Sequence, residues 1–212
     1  MRLYLSSHGI GNHLQRLQSM VGGNKKMLYI SNAGDYLSDN EQAVHTAEKK
    51  LEFEEAGFEF HELDLRKYFE NNELLASIVA ASGLVWASGG NTFLLRRAMQ
   101  YSGLDTILTE GLKQNLFVYG GSSAGSIVMT KTLRGTENGD DPYVLPEGYQ
   151  EEIVWNGLGL IYPQLVPHYG SEWFGEQAQA MADYFDQNGL KYETLRDGEV
   201  YVVDETYEEK LT

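Results

Sequence analysis

The chain has 212 residues, 42% of them hydrophobic, which suits one α/β domain with a sizeable core and is too short for two ordinary domains. The 16 Lys and Arg stand against 31 Asp and Glu, a formal charge of −15, so the surface repels phosphate backbones and anionic lipid and neither nucleic acid nor a membrane is an expected partner. With no cysteine, disulfides, thiolate metal sites and a cysteine nucleophile are excluded.

In chain order, short apolar runs alternate with helix-like stretches. Strands are expected at residues 3–5, 27–30, 58–63, 84–87 and 116–119, each bounded by Gly, Ser or Asn. Helices are expected over 41–56, stopped by Gly57, and over 70–81. The segment 92–101 follows, with Asn91 as its N-cap and Leu94, Leu95, Ala98 and Tyr101 on one face. Further helices are expected over 105–114 and 172–187. Residues 139–149, polar and holding Pro142 and Pro146, read as a long surface loop of the kind that often carries function. Residues 158–161 and 165–167 read as a strand-like stretch, residues 199–203 as a hairpin-like strand, and the acidic tail as a fraying end. The alternation implies one domain over 1–212, a three-layer α/β/α fold around a mostly parallel sheet. The first residues lack an apolar signal core, and no run approaches the roughly 18 apolar residues that span a bilayer, so a cytoplasmic location is expected.

The chemistry concentrates at Gly121-Ser122-Ser123-Ala124-Gly125, after the strand ending at Tyr119. Gly-x-Ser-x-Gly between a strand and a helix is a nucleophile elbow. A sharp turn lifts the Ser123 hydroxyl above the sheet, and small neighbours permit the bend. The helix that follows aims free N–H groups where an oxyanion would form. Serine needs a base, and the chain has five histidines. His45 and His61 read as surface groups. His8 and His13 flank Gly9 and Gly11 after the first strand, an incomplete dinucleotide pattern. His168, between Pro167 and Tyr169-Gly170, leaves an apolar stretch as a positioned loop residue. Asp140, Asp141 and Asp197 are the carboxylates that could orient it, and spacing alone does not choose among them.

These residues resemble peptidase family S51, which includes the aspartyl dipeptidases and, more distantly, cyanophycinase. Three ordered motifs carry the resemblance over most of the chain: Gly89-Gly90-Asn91-Thr92-Phe93, the turn around Ser123, and Gly157-Leu158-Gly159-Leu160-Ile161 followed by Pro167-His168-Tyr169. The resemblance implies a fold like that of class I glutamine amidotransferases (flavodoxin-like), with serine replacing cysteine. It implies Ser123 as nucleophile, His168 as base and Asp140 as the orienting carboxylate, with Asp141 beside it and Asp197 in reserve. It implies an oxyanion hole from the N–H groups of Gly90 and Ala124, in a pocket shaped by Asn91 and Thr92. A short peptide is the implied substrate, cleaved with neither metal nor cofactor; a homo-oligomer is left open. Aspartyl dipeptidases of this type carry an arginine shortly after the histidine, whereas residues 169–190 contain no Lys or Arg, leaving Arg96 or Arg97 as substitutes. Ser122 stands where a tryptophan is common. An α/β-hydrolase esterase is disfavoured by the short interval between Ser123 and His168. A glutamine amidotransferase is disfavoured by the missing cysteine. A non-catalytic binding protein on the same fold is the remaining alternative.

Overall fold

The computed structural model describes residues 1–205 and 207–212. The apolar runs become strands β1 (Arg2–Ser6), β2 (Lys26–Ile30), β3 (Glu59–Glu62), β4 (Leu84–Ala87), β5 (Val118–Ser122), β6 (Gln164–Val166), β7 (Tyr192–Thr194), β8 (Val200–Asp204) and β9 (Tyr207–Leu211). The helices are α1 (Leu14–Val21), α2 (Asp39–Glu55), α3 (Leu75–Ala80), α4 (Thr92–Tyr101), α5 (Leu104–Lys113), α6 (Ala124–Ile127) and α7 (Gly175–Gln187). One seven-stranded sheet runs in the order β3-β2-β4-β5-β1-β8-β9. Its first five strands are parallel, and β8 and β9 extend it antiparallel. The short strands β6 and β7 form a separate parallel pair.

The pleat explains the layers. Leu3, Leu5, Val85, Ala87 and Tyr119 point to one face, where Leu94, Ala98, Leu108 and Leu112 of α4 and α5 cover them. Tyr4, Leu84, Trp86 and Val118 point to the other, against Leu17 and Met20 of α1 and Phe53 of α2. Successive side chains of a strand alternate between faces, so apolar strands buried on both sides require helices on both sides. Gly120 lies under the Trp86 indole: a Cβ there would come within 2.2 Å of Trp86 Cε3.

Several boundaries differ from the expected ones for visible reasons. Helix α2 begins earlier, at Asp39, because Ser38 and Glu41 form a reciprocal capping box. The helix expected over 70–81 shortens to Leu75–Ala80, since Asn71 Oδ1 accepts the Glu73 N–H at 3.0 Å and holds a turn instead. Residues 158–161 form no strand; their N–H groups bond the carbonyls of Val128, Met129 and Thr130. The tail does not fray: β9 pairs with β8, and Lys210 Nζ donates to the Thr194 carbonyl at 2.7 Å and to Glu199 at 2.9 Å. Among the described residues, no helix is long and apolar enough to cross a membrane.

Candidate active site

The carboxyl ends of β1, β4 and β5 meet at one edge of the sheet, the place where parallel α/β sheets bind ligands. There β1 delivers Ser7 and His8, β4 delivers Ser88, Gly89 and Gly90, and β5 delivers Ser122 and Ser123. All of them line a cavity of about 560 Å³.

Ser123 joins β5 to α6 with φ 51° and ψ −111°, a conformation L-residues avoid. The surroundings hold it. Its N–H donates to the Ser6 carbonyl at 3.1 Å, and its carbonyl accepts the N–H groups of Ser126 and Ile127 at 2.8 and 2.9 Å. Ser126 Oγ ties the turn to Ser6 and Gly121. The motif glycines are sterically required: a Cβ on Gly121 would lie 2.4 Å from the Gly125 carbonyl oxygen, and one on Gly125 would lie 2.2 Å from that of Ala87. Gly125→Ala is therefore expected to destabilise the fold by about 1–3 kcal/mol or more through overpacking, read as a fall in melting temperature.

His168 also lines this cavity. Strand β6 ends at Val166, and after Pro167 the chain places His168 at φ 60°, also in the left-handed region. The His168 N–H donates to Ser7 Oγ at 2.8 Å. Ser7 Oγ in turn donates to Asp197 Oδ1 at 2.9 Å. His168 Nδ1 lies 2.7 Å from that same oxygen. Burial pushes the Asp197 carboxyl up, but the hydrogen bonds from His168 and Ser7 outweigh it and hold the group below the usual carboxylate range. An ionised carboxylate only accepts, so Nδ1 carries the proton and Nε2 keeps its lone pair. Trp173 closes the arrangement, its ring centroid 4.4 Å from that of His168 and its Nε1 3.4 Å from Asp197 Oδ2.

Asp140 does not stand where the sequence reading put it. Its Oδ2 accepts the Thr92 N–H at 2.9 Å, at the start of α4, and it makes no hydrogen bond to His168. The long loop docks on the Gly90–Thr92 turn through this contact and through Asn91 Nδ2, which donates to the Asp141 carbonyl at 2.8 Å. Asp141 is exposed and its Oδ1 accepts the Tyr143 N–H. Asp197, the reserve candidate, occupies the position beside the imidazole. Asn91 also caps α4, accepting the N–H groups of Phe93 and Leu94. The N–H groups of Gly90 and Ala124 find no acceptor among the described residues; Gly90 lines the cavity with Ser123, and Ala124 follows Ser123 in the chain. Ser7 and Trp173 escaped the sequence reading; a serine directly after the first strand was the only available signal.

Arg96 and Arg97 are not available to a substrate. Arg96 donates to Asp105 and to the Asn156 carbonyl. Arg97 is buried and donates to the carbonyls of Pro142, Val144 and Glu152, pinning the loop. Among the described residues, the one Lys or Arg lining the cavity is Lys49, whose Nζ lies 2.6 Å from Glu52. His8, exposed, presents its ring 5.8 Å from that of His168. One ligand atom each from His8, His168 and Asp197 fall within 4.8 Å of one another. A divalent cation held there would occupy groups that orient the imidazole.

The family model for peptidase family S51 matches residues 5–209. The chain belongs to peptidase family S51. It is a serine-type peptidase of that family. Peptidase E of Streptomyces coelicolor is 28% identical over 202 residues, covering 91% of this chain and 75% of that one. A Drosophila melanogaster protein named a probable alpha-aspartyl dipeptidase is 30% identical over 120 residues, 54% of this chain and 47% of that one. The crystal structure of a Listeria monocytogenes EGD-e protein named for peptidase E superposes with a TM-score of 0.79 at 19% identity, covering 99% of this chain and 97% of that one. At that identity the superposition establishes the fold, and the S51 sheet and flanking helices are those described above.

The S51 assignment gives the His168 environment a measurable consequence. Burial lowers the His168 pKa below its ordinary 6.5, and the hydrogen bond and charge of Asp197 only partly restore it. A general base works unprotonated, so kcat/KM is expected to rise with pH through a midpoint below 6.5. A pH–rate profile with the ascending limb above that value would contradict this environment.

Proposed function

We propose that this peptidase cleaves short peptides through an acyl-enzyme mechanism on Ser123, His168 and Asp197. The observation that carries the reading is the 2.7 Å His168–Asp197 hydrogen bond on the same cavity as the strained Ser123. His168 Nε2 removes the Ser123 hydroxyl proton as Oγ attacks the scissile carbonyl carbon. The imidazolium formed is stabilised by Asp197, which also fixes the ring tautomer. The oxyanion lies against the N–H groups of Gly90 and Ala124, each worth about 3–4 kcal/mol in other enzymes. His168 then returns its proton to the leaving amine, and water attacks the acyl group with the same imidazole as base.

A cavity of about 560 Å³ suits a substrate of a few residues, hence a dipeptidase or tripeptidase. Aspartyl preference lacks support: among the described residues Lys49 is the sole Lys or Arg on the cavity wall and is paired with Glu52, while Arg96 and Arg97 are spent on structure. A substrate carboxylate desolvated without a free cation is unfavourable. Ile127, Val144, Phe174 and Met181 offer an apolar wall instead. A dipeptide panel varying the first residue tests this. Uncharged first residues are expected to exceed Asp, and a dominant Asp-X activity would reject the reading of the pocket.

A further inference from the structure

His8, His168 and Asp197 each bring one donor atom within 4.8 Å of the other two. They stand on three separate segments, and hydrogen bonds fix those segments to one another. The N–H groups of Ser7 and Asn12, on either side of His8, donate to the carbonyls of Glu199 and Gly198 at 3.1 and 2.9 Å. The Tyr169 N–H donates to the Leu195 carbonyl at 3.0 Å, and the His168 N–H to Ser7 Oγ at 2.8 Å. The three backbone segments are therefore held together before any ion arrives, which lowers the ordering cost of binding one. His168 is buried, whereas His8 and Asp197 are exposed, so the cluster opens to solvent and an ion has a way in.

The donor set selects the ion. Two imidazoles and one carboxylate suit Zn²⁺, which takes nitrogen and oxygen at about 2.0–2.2 Å and can leave its fourth position to water. Mg²⁺ and Ca²⁺ prefer oxygen alone. Tetrahedral bonds of that length set donors about 3.4 Å apart, so the cluster must close slightly. The exposed His8 ring, edge-on to His168 at 5.8 Å and to Trp173 at 6.3 Å, can turn to do so. The formal charge of −15 also concentrates cations near the surface. Coordination disables the imidazole through either nitrogen. Bound at Nε2, the ion takes the lone pair that would accept from Ser123. Bound at Nδ1, it releases that proton to solvent and replaces the hydrogen bond between His168 and Asp197.

We propose that His8, His168 and Asp197 form an inhibitory site for Zn²⁺, which shuts the peptidase down reversibly by capturing its imidazole. Binding rests on the placement of the three residues; the inhibition rests on the mechanism proposed above. The test titrates ZnCl₂ into EDTA-stripped, dialysed enzyme, wild type and His8→Ala, followed by calorimetry and by fluorophosphonate labelling of Ser123. Each protein is compared with its own metal-free state, and a melting curve checks its folding. Wild type is expected to take up one ion per chain and to lose labelling, and EDTA to restore it. His8→Ala should bind the ion more weakly by at least roughly 10–100-fold, the range for losing even an outer partner of a metal ligand. It should keep its labelling at zinc concentrations that silence wild type. MgCl₂ should neither bind there nor block labelling. No zinc uptake, equal uptake by wild type and His8→Ala, equal inhibition by MgCl₂, or labelling that persists in zinc-saturated wild type overturns the proposal. Absence of labelling in metal-free, folded wild type rejects the Ser123 mechanism instead, and calorimetry on the two proteins then decides the metal site by itself.

Discussion

Ser123→Ala is expected to lower kcat by roughly 10⁶-fold and to abolish fluorophosphonate labelling. The chemistry has no substitute nucleophile at the elbow: Ser122 is buried in β5, and Ser126 Oγ is committed to the carbonyls of Ser6 and Gly121. Stability should be nearly unchanged. The Ser123 side chain caps nothing, and alanine inherits the same φ of 51°. A melt within about 1 kcal/mol of wild type together with lost turnover is therefore the expected pair of results. Equal turnover by wild type and Ser123→Ala would remove the nucleophile assignment altogether.

The second large effect separates the two aspartates. Asp197→Asn is expected to cost about 10⁴-fold in kcat at neutral pH, by analogy with the same change in other serine triads. Asparagine can turn its NH₂ toward Nδ1, which then favours the imidazole tautomer with the proton on Nε2. That tautomer cannot accept from Ser123. Ser7 Oγ, which donates to the same carboxylate oxygen, would report the rearrangement by losing its partner. Asp140→Asn leaves the His168–Asp197 pair untouched and should keep labelling at Ser123. If Asp140→Asn silences labelling and Asp197→Asn does not, the roles of the two carboxylates are reversed.

Much of this molecule was legible in order along the chain. The alternation of apolar runs with helical stretches gave the parallel sheet, because strands buried on both faces must be apolar at both parities. The elbow was readable because its glycines have a local cause: each sits where a Cβ would strike a backbone carbonyl within the turn or its neighbouring strand. His168 was readable from its proline and glycine flanks. The helix starts and the fate of the tail were less legible, since a single Asn71 side chain and the pairing of β9 with β8 decided them.

What only the tertiary structure decided is which carboxylate lies beside His168. Asp140, Asp141 and Asp197 are equivalent in sequence: each is an acidic residue near a glycine or a loop. Asp140 belongs to a loop that Arg97 and Asn91 dock onto the start of α4. Asp197 follows β7 and reaches the site because Leu195 bonds Val166 and Tyr169 across the β6–β7 pair, drawing the 195–198 turn against the histidine loop. That register depends on hydrogen bonds between segments distant in the chain, which no local pattern encodes. The sequence determined the strand, turn and helix around Ser123 and the histidine able to serve it, because those depend on neighbours a few residues away. The carboxylate beside the imidazole, and the place of Asp140 against the start of α4, depend on how remote segments meet.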